Sequence, residues 1–210
     1  MIVLMAALRL RGVAGAAAVV AALWFGSAPA LAAEWNSSSG EGHNVVQVVN
    51  RVDNHLKVRG RVDFNVIEGP TVTPLNAAFA FSSCNGCQTL AVALQINLIS
   101  RTATNIRPQN IATAVNYQCV NCVTIADAVQ YTIAVADPNN LEPRVDELFE
   151  TMQGELRAAR SASTLAAAID AINAVIAQFE DLAQSLMHAK VGTEEPTTAG
   201  AAPPPPDLSP

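Results

Sequence analysis

The stretch Ser82 to Gln95, SSCNGCQTLAVALQ, sets two cysteines around Asn85-Gly86 and follows them with a strict alternation of side-chain size. Leu90, Val92 and Leu94 alternate with Thr89, Ala91, Ala93 and Gln95, a period of two that marks a β-strand. Asn-Gly is a strong short-range hairpin signal, because both residues tolerate the positive φ of a type I′ turn. Folding the chain about Asn85-Gly86 sets Phe81 beside Leu90, Phe79 beside Val92 and Ala77 beside Leu94 on one face. The other face then carries Cys84 with Cys87, Ser82 with Thr89, Ala80 with Ala91, Ala78 with Ala93 and Asn76 with Gln95. The bulky face is the expected main core. The flat face of Ala, Thr, Asn and Gln suits close packing by a sheet, a helix or a second molecule, or half-exposure to solvent.

The unit recurs. Cys84, Cys87, Thr89, Ala91, Ala93 and Gln95 return as Cys119, Cys122, Thr124, Ala126, Ala128 and Gln130. Upstream, Pro74, Asn76, Ala78 and Ala80 return as Pro108, Asn110, Ala112 and Ala114, with one residue fewer between them, so the second copy carries an extra residue before its cysteines. That residue reads as a β-bulge. A third copy lacks cysteine: Asn44 to Ile67 aligns without a gap on Asn76 to Ile99, and places Val52 and His55 where the second unit has Cys84 and Cys87. The unit therefore folds without its thiols. Three tandem β-hairpins forming an antiparallel sheet over 44–136 are expected.

In a two-residue hairpin, opposed cysteines sit about 5.5 Å apart at Cα, within disulfide range. Pairing of Cys84 with Cys87 and of Cys119 with Cys122 is the leading reading, and a cross-repeat pairing stays open. With disulfides, the chain needs no metal and no cofactor. The alternative is zinc held by Cys84, Cys87, Cys119 and Cys122, because two CxxC tips are also how a zinc ribbon presents its thiolates. A thiol-redox centre is less suited, since it wants CxxC at a helix N-terminus and here a strand follows.

Residues 1–32 read as an export signal: Arg9 and Arg11 precede an apolar run from Val13 to Phe25, and Ala30-Leu31-Ala32 is a small-x-small cleavage site. Cleavage is expected after Ala32 or Ala33, and the run falls short of the ~20 residues that span a bilayer. No membrane span is expected afterwards. Export places the chain outside the reducing cytosol, at the cell surface or secreted. Losing two arginines and no acid moves the formal charge from −6 to about −8. An acidic chain argues against nucleic acid, for which the only basic candidate is the strand-spaced trio Lys57, Arg59 and Arg61. Residues 33–43 read as a linker, and 193–210, ending in a run of prolines, as a disordered tail. There is no GxSxG, HExxH or phosphate-binding glycine loop. His43, His55 and His188 are scattered, so no catalytic residue is assigned and the chain is read as a non-enzyme.

After Asp137-Pro138 the period becomes helical. Val145, Leu148, Phe149, Met152 and Leu156 form one stripe, and Leu165, Ile169, Ile172, Ile176, Phe179, Leu182 and Leu186 another. Asn140 and Ser163 suit N-caps, and Gly192, just after Lys190, suits a stop. An antiparallel helical hairpin over 137–192 is expected, giving an α+β chain.

The units Asn76 to Gln95 and Asn110 to Gln130 resemble a CxxC-containing β-repeat of exported bacterial proteins, some of which carry it behind a membrane zinc-metalloprotease segment. The resemblance covers roughly residues 44–135 and implies no activity. The combined reading is a secreted structural or interaction module acting on an unknown protein or cell-surface partner, with self-association open. A zinc-binding or thiol-redox accessory protein is the alternative.

Overall fold

The computed structural model describes residues 12–13, 42–137 and 143–189. The rest of the expected signal, the linker up to residue 41, Asn140, Lys190, Gly192 and the Pro-rich tail lie outside the described residues. Along the chain run β1 (Gly12–Val13), β2 (His43–Asn50), β3 (Leu56–Ile67), β4 (Thr71–Val72), β5 (Leu75–Ser82), β6 (Gln88–Ser100), β7 (Asn105–Ile106), β8 (Gln109–Asn116), β9 (Val123–Val135), α1 (Pro143–Ala159) and α2 (Leu165–Ala189).

The strands do not pair as hairpins. β5 hydrogen-bonds to β2 and β8, and β6 to β3 and β9, all in parallel. β4 and β7 form a small third parallel sheet, and only the two-residue β1 runs antiparallel, on β9. The chain therefore coils as a three-rung parallel solenoid: β2 and β3 make the first rung, β5 and β6 the second, β8 and β9 the third. This overturns the expected antiparallel sheet of three hairpins followed by an antiparallel helical hairpin. The fold is two stacked parallel sheets with two helices.

The physical reason lies at the corners. A type I′ hairpin needs positive φ at both central residues. Here only Gly86 is left-handed (φ 63°), and its counterparts in the other rungs, Asn54 (φ 55°) and Asn121 (φ 56°), are too. A left-handed residue at this shared position of each corner turns the chain from one sheet into the sheet opposite, an arch instead of a hairpin. Successive corners bond to each other: Asn54 N–H donates to Asn85 O and Gly86 N–H to Val120 O, each at 2.8 Å. Glycine is favoured at 86 by its positive φ and because a Cβ there would crowd the Asn54 side chain. The extra residue expected as a bulge is absorbed in the third corner, where Gln118 also has positive φ (48°).

The change from hairpin to arch re-sorts the faces. With the two arms in opposed sheets, the small residues of both arms point inward and the large ones point outward in opposite directions. Ala78, Ala80, Ala91, Ala93, Ala126 and Ala128 fill a thin interior with Val46 and Val48. Leu90, Val92, Leu94, Ile96 and Leu98 point out of the β3-β6-β9 sheet, where α1 and α2 bury them against Met152, Leu156, Ile176 and Phe179. Each such fully buried side chain contributes roughly 1.5–3 kcal/mol. Phe79 and Phe81, expected beside Val92 and Leu90, instead lie on the far side of the molecule.

Buried polar columns fix the register. Asn44 Nδ2 donates to Asn76 Oδ1 (3.0 Å), and Asn76 Nδ2 donates to Asn110 Oδ1 (2.8 Å). The same amides reach across the interior to Leu94 O, Ala93 O, Val129 O and Ala128 O. At the corner end, Ser82 Oγ lies 2.6 Å from both Thr89 Oγ1 and Thr124 Oγ1. A slip of one residue would drive alanine columns outward and bury the large residues' side against nothing, so both packing and polar satisfaction select one register.

The helices close the outer face of one sheet. α1 begins at Pro143, a residue suited to a first helical turn. α2 is capped by Thr164, whose Oγ1 accepts Ala167 N–H at 3.2 Å, one residue later than the expected Ser163. Gln178 Nε2 donates to Glu155 Oε2 (2.9 Å) between the helices. Gly60 lets α1 approach β3: a Cβ there would stand 2.9 Å from Leu156 Cδ2. Among the described residues, no helix is long and apolar enough to cross a membrane.

Candidate functional site

Two features stand out: a cysteine-lined corner and a partly exposed apolar sheet face. Parallel stacking places the two CxxC corners on adjacent rungs, joined by a backbone bridge between Asn85 and Val120. Cys84 and Cys87 are 5.8 Å apart at Cα and Cys119 and Cys122 are 6.0 Å apart, and both pairs lie at disulfide distance. Cys87 is fully buried, and Cys119 and Cys122 are half-buried. The Sγ atoms of Cys87, Cys119 and Cys122 all lie within 4.8 Å of one another. Cys84 Sγ, beside that of Cys87, lies 3.4 Å from Asn50 O. The Cys84 carbonyl lies 2.8 and 2.9 Å from the sulfurs of Cys119 and Cys122. In the first rung, Val52 is exposed and Asp53 holds the next corner by accepting Asn85 N–H (2.8 Å).

The histidines stay apart. His43 Nδ1 accepts the Leu75 N–H at 3.2 Å, His55 lends its carbonyl to Gln88 N–H, and His188 Nδ1 lies 2.8 Å from Gln184 O on α2. Lys57, Arg59 and Arg61 fall, by register, in the interior columns of Thr89, Ala91 and Ala93. Among the described residues no rung lies above them. Lys57 Nζ donates to Val49 O (2.8 Å), and Arg61 pairs with Asp63 (3.3 Å).

The second feature was not legible as a site. The outer face of the β2-β5-β8 sheet, the counterpart of the face that the helices cover, presents Val45 (40% exposed), Phe79 (36%), Ile111 (39%) and Val115 (40%). Phe81 and Tyr117 stack beside them with ring centroids 6.4 Å apart. Period-two reading had assigned the phenylalanines to the core, and only the sheet-to-sheet arrangement reveals them as surface.

No protein-family model, curated protein or solved structure matches the chain.

Proposed function

We propose that this chain is an exported, non-enzymatic interaction module that binds a protein or cell-surface partner through the outer face of the β2-β5-β8 sheet. The observation that supports this is the group of partly exposed apolar residues Val45, Phe79, Ile111 and Val115, which the register places on one face of the sheet. Exposed apolar patches of this kind mark interaction sites more often than scattered surface residues do. A solenoid suits the role because its stacked rungs hold neighbouring side chains at fixed spacing. The test is partition of the exported protein between cell envelope and medium. Phe79→Lys with Val115→Lys should release the protein to the medium while its circular dichroism stays that of the parent. Unchanged partition of a folded double variant contradicts the reading.

A second reading rests on the sulfur geometry. With its thiols reduced, the corner brings three sulfurs close enough to share one soft cation such as zinc. Two intact disulfides and no stoichiometric metal in the exported protein exclude it; four free thiols with bound zinc would displace the disulfide reading.

A further inference from the structure

A solenoid has two ends, and the two ends of this one differ. At the first rung each open edge carries a guard. In a parallel ladder, alternate residues direct N–H and C=O to opposite sides. Asn50 O accepts from Ser83 and His55 O from Gln88, so Val49 and Val62 direct theirs to the outer edge. Those outward groups are taken: Val49 O accepts from Lys57 Nζ (2.8 Å), and Val62 N–H donates to Gln153 Oε1 of α1 (2.9 Å). Charged side chains and a covering helix are the devices by which proteins protect a sheet edge.

Among the described residues, neither a charged side chain nor a helix covers β8 in the third rung. Among the described residues β8 is an edge strand, and Gln109 to Asn116 (QNIATAVN) contains no charge and no proline. Gln109 N–H and Tyr117 N–H donate inward to Pro74 O and Ser82 O, so Ala112 and Ala114 direct their backbone groups to the outer edge. Among the described residues, the two-residue β1 alone lies at this rung, pairing antiparallel with Ala126 and Ile125 of β9 and touching β8. β1 belongs to the stretch read as the export signal, whose removal vacates the edge. The sequence of β8 is also symmetric about Thr113: Asn110 and Asn116, Ile111 and Val115, Ala112 and Ala114 match across it. Antiparallel pairing about a two-fold axis at Thr113 would thus set amide on amide, branched apolar on branched apolar and methyl on methyl. β2 is symmetric in the same way about Gln47, but its edge is the guarded one.

We propose that, once exported, two copies of this chain join third rung to third rung through β8, antiparallel about Thr113. One free end and one guarded end give a closed dimer, where two free ends would give a filament. The joined sheet runs continuously through both copies. The dimer uses the backbone edge of β8 and rests on the export reading; Ile111 and Val115 belong both to that strand and to the apolar outer face, but the pairing does not require that face to bind a partner.

The test is sedimentation velocity of the exported protein across ~1–100 µM, the range in which transient interfaces dissociate. A mass of two chains is expected. Ala112→Pro removes an outward N–H without touching the β5–β8 ladder, and should raise the dissociation constant about tenfold or more by losing two symmetry-related bonds. Gln47→Pro does the same at the guarded edge of β2 and should leave the dimer intact. Thr113→Lys and Thr113→Glu each place like charges across the axis and should be monomeric alone; mixed, they should restore a two-chain species, which shows that both are folded. A one-chain mass for the parent, a dimer that survives Ala112→Pro and both charge variants, dissociation by Gln47→Pro, or assemblies larger than two chains each overturns the proposal.

Discussion

Asn44 donates a hydrogen bond to the side chain of Asn76 at 3.0 Å across 32 residues of sequence, and Asn76 passes the same bond on to Asn110. Three asparagines from successive repeats line up in one column because the strands run parallel and in register, so the column records the fold. It also satisfies backbone carbonyls of the opposite sheet that the thin interior shuts off from water.

Asn76→Ala tests that column. The middle amide serves Asn44 Nδ2, Asn110 Oδ1, Ala93 O and Val129 O. Leaving such buried groups unpaired costs about 1–3 kcal/mol each, with partial relief by relaxation, so a loss on the order of 2–4 kcal/mol is expected. Denaturant unfolding measures it. Asn65→Ala, in a half-buried network with Asp63 and Asn97, should cost clearly less.

Gly60→Val tests the seat of α1. A side chain at 60 meets Leu156, which is fully buried, and overpacking of this kind costs about 1–3 kcal/mol. Leu156→Ala alone should also destabilise, through a cavity. The double variant should be more stable than the sum of the two losses predicts, because each change relieves the other. Strict additivity in thermal unfolding would mean that Gly60 and Leu156 are not in contact.

Replacing Cys84, Cys87, Cys119 and Cys122 with Ser should leave the solenoid folded. The corners are already tied by backbone bonds, and the disulfide loops proposed here are short, so the entropic contribution is small. Leu94→Ala should cost more, on the order of 2–5 kcal/mol, since Leu94 is fully buried between sheet and helices. Circular dichroism during urea unfolding ranks the two. Non-reducing peptide maps of the parent should recover Cys84 with Cys87 and Cys119 with Cys122, and a peptide joining the two corners would refute that pairing.

Much of this geometry can be read from residues, and the part that cannot has a physical cause. The alignment of Asn44–Ile67 with Asn76–Ile99 is the register in which β2 meets β5 and β3 meets β6. The alternation Thr89 to Leu98 separates two faces whether the chain makes a hairpin or an arch, because period two describes a strand and says nothing of its neighbour. Asn85-Gly86 tipped that choice toward a hairpin. The opposing signal was the return of asparagine at 44, 76 and 110, which a hairpin leaves unexplained. Phe79 and Phe81 were misassigned for the same reason: folding about Asn85-Gly86 puts them on one face with Leu90 and Val92, but an arch points the two arms away from each other. The sulfur cluster of Cys87, Cys119 and Cys122 depends on rung-to-rung stacking, and spacing within one CxxC carries no trace of it.

The most direct test of the parallel solenoid is a set of backbone nuclear Overhauser contacts in the isotope-labelled protein. Phe79 should show inter-strand contacts to Gln47 on one side and Thr113 on the other, and Leu94 to Val62 and Val129, as the register places them. Close Hα–Hα contacts between Phe79 and Val92, or between Ala80 and Ala91, belong to antiparallel hairpins turning at Asn85-Gly86, and their presence would contradict the fold.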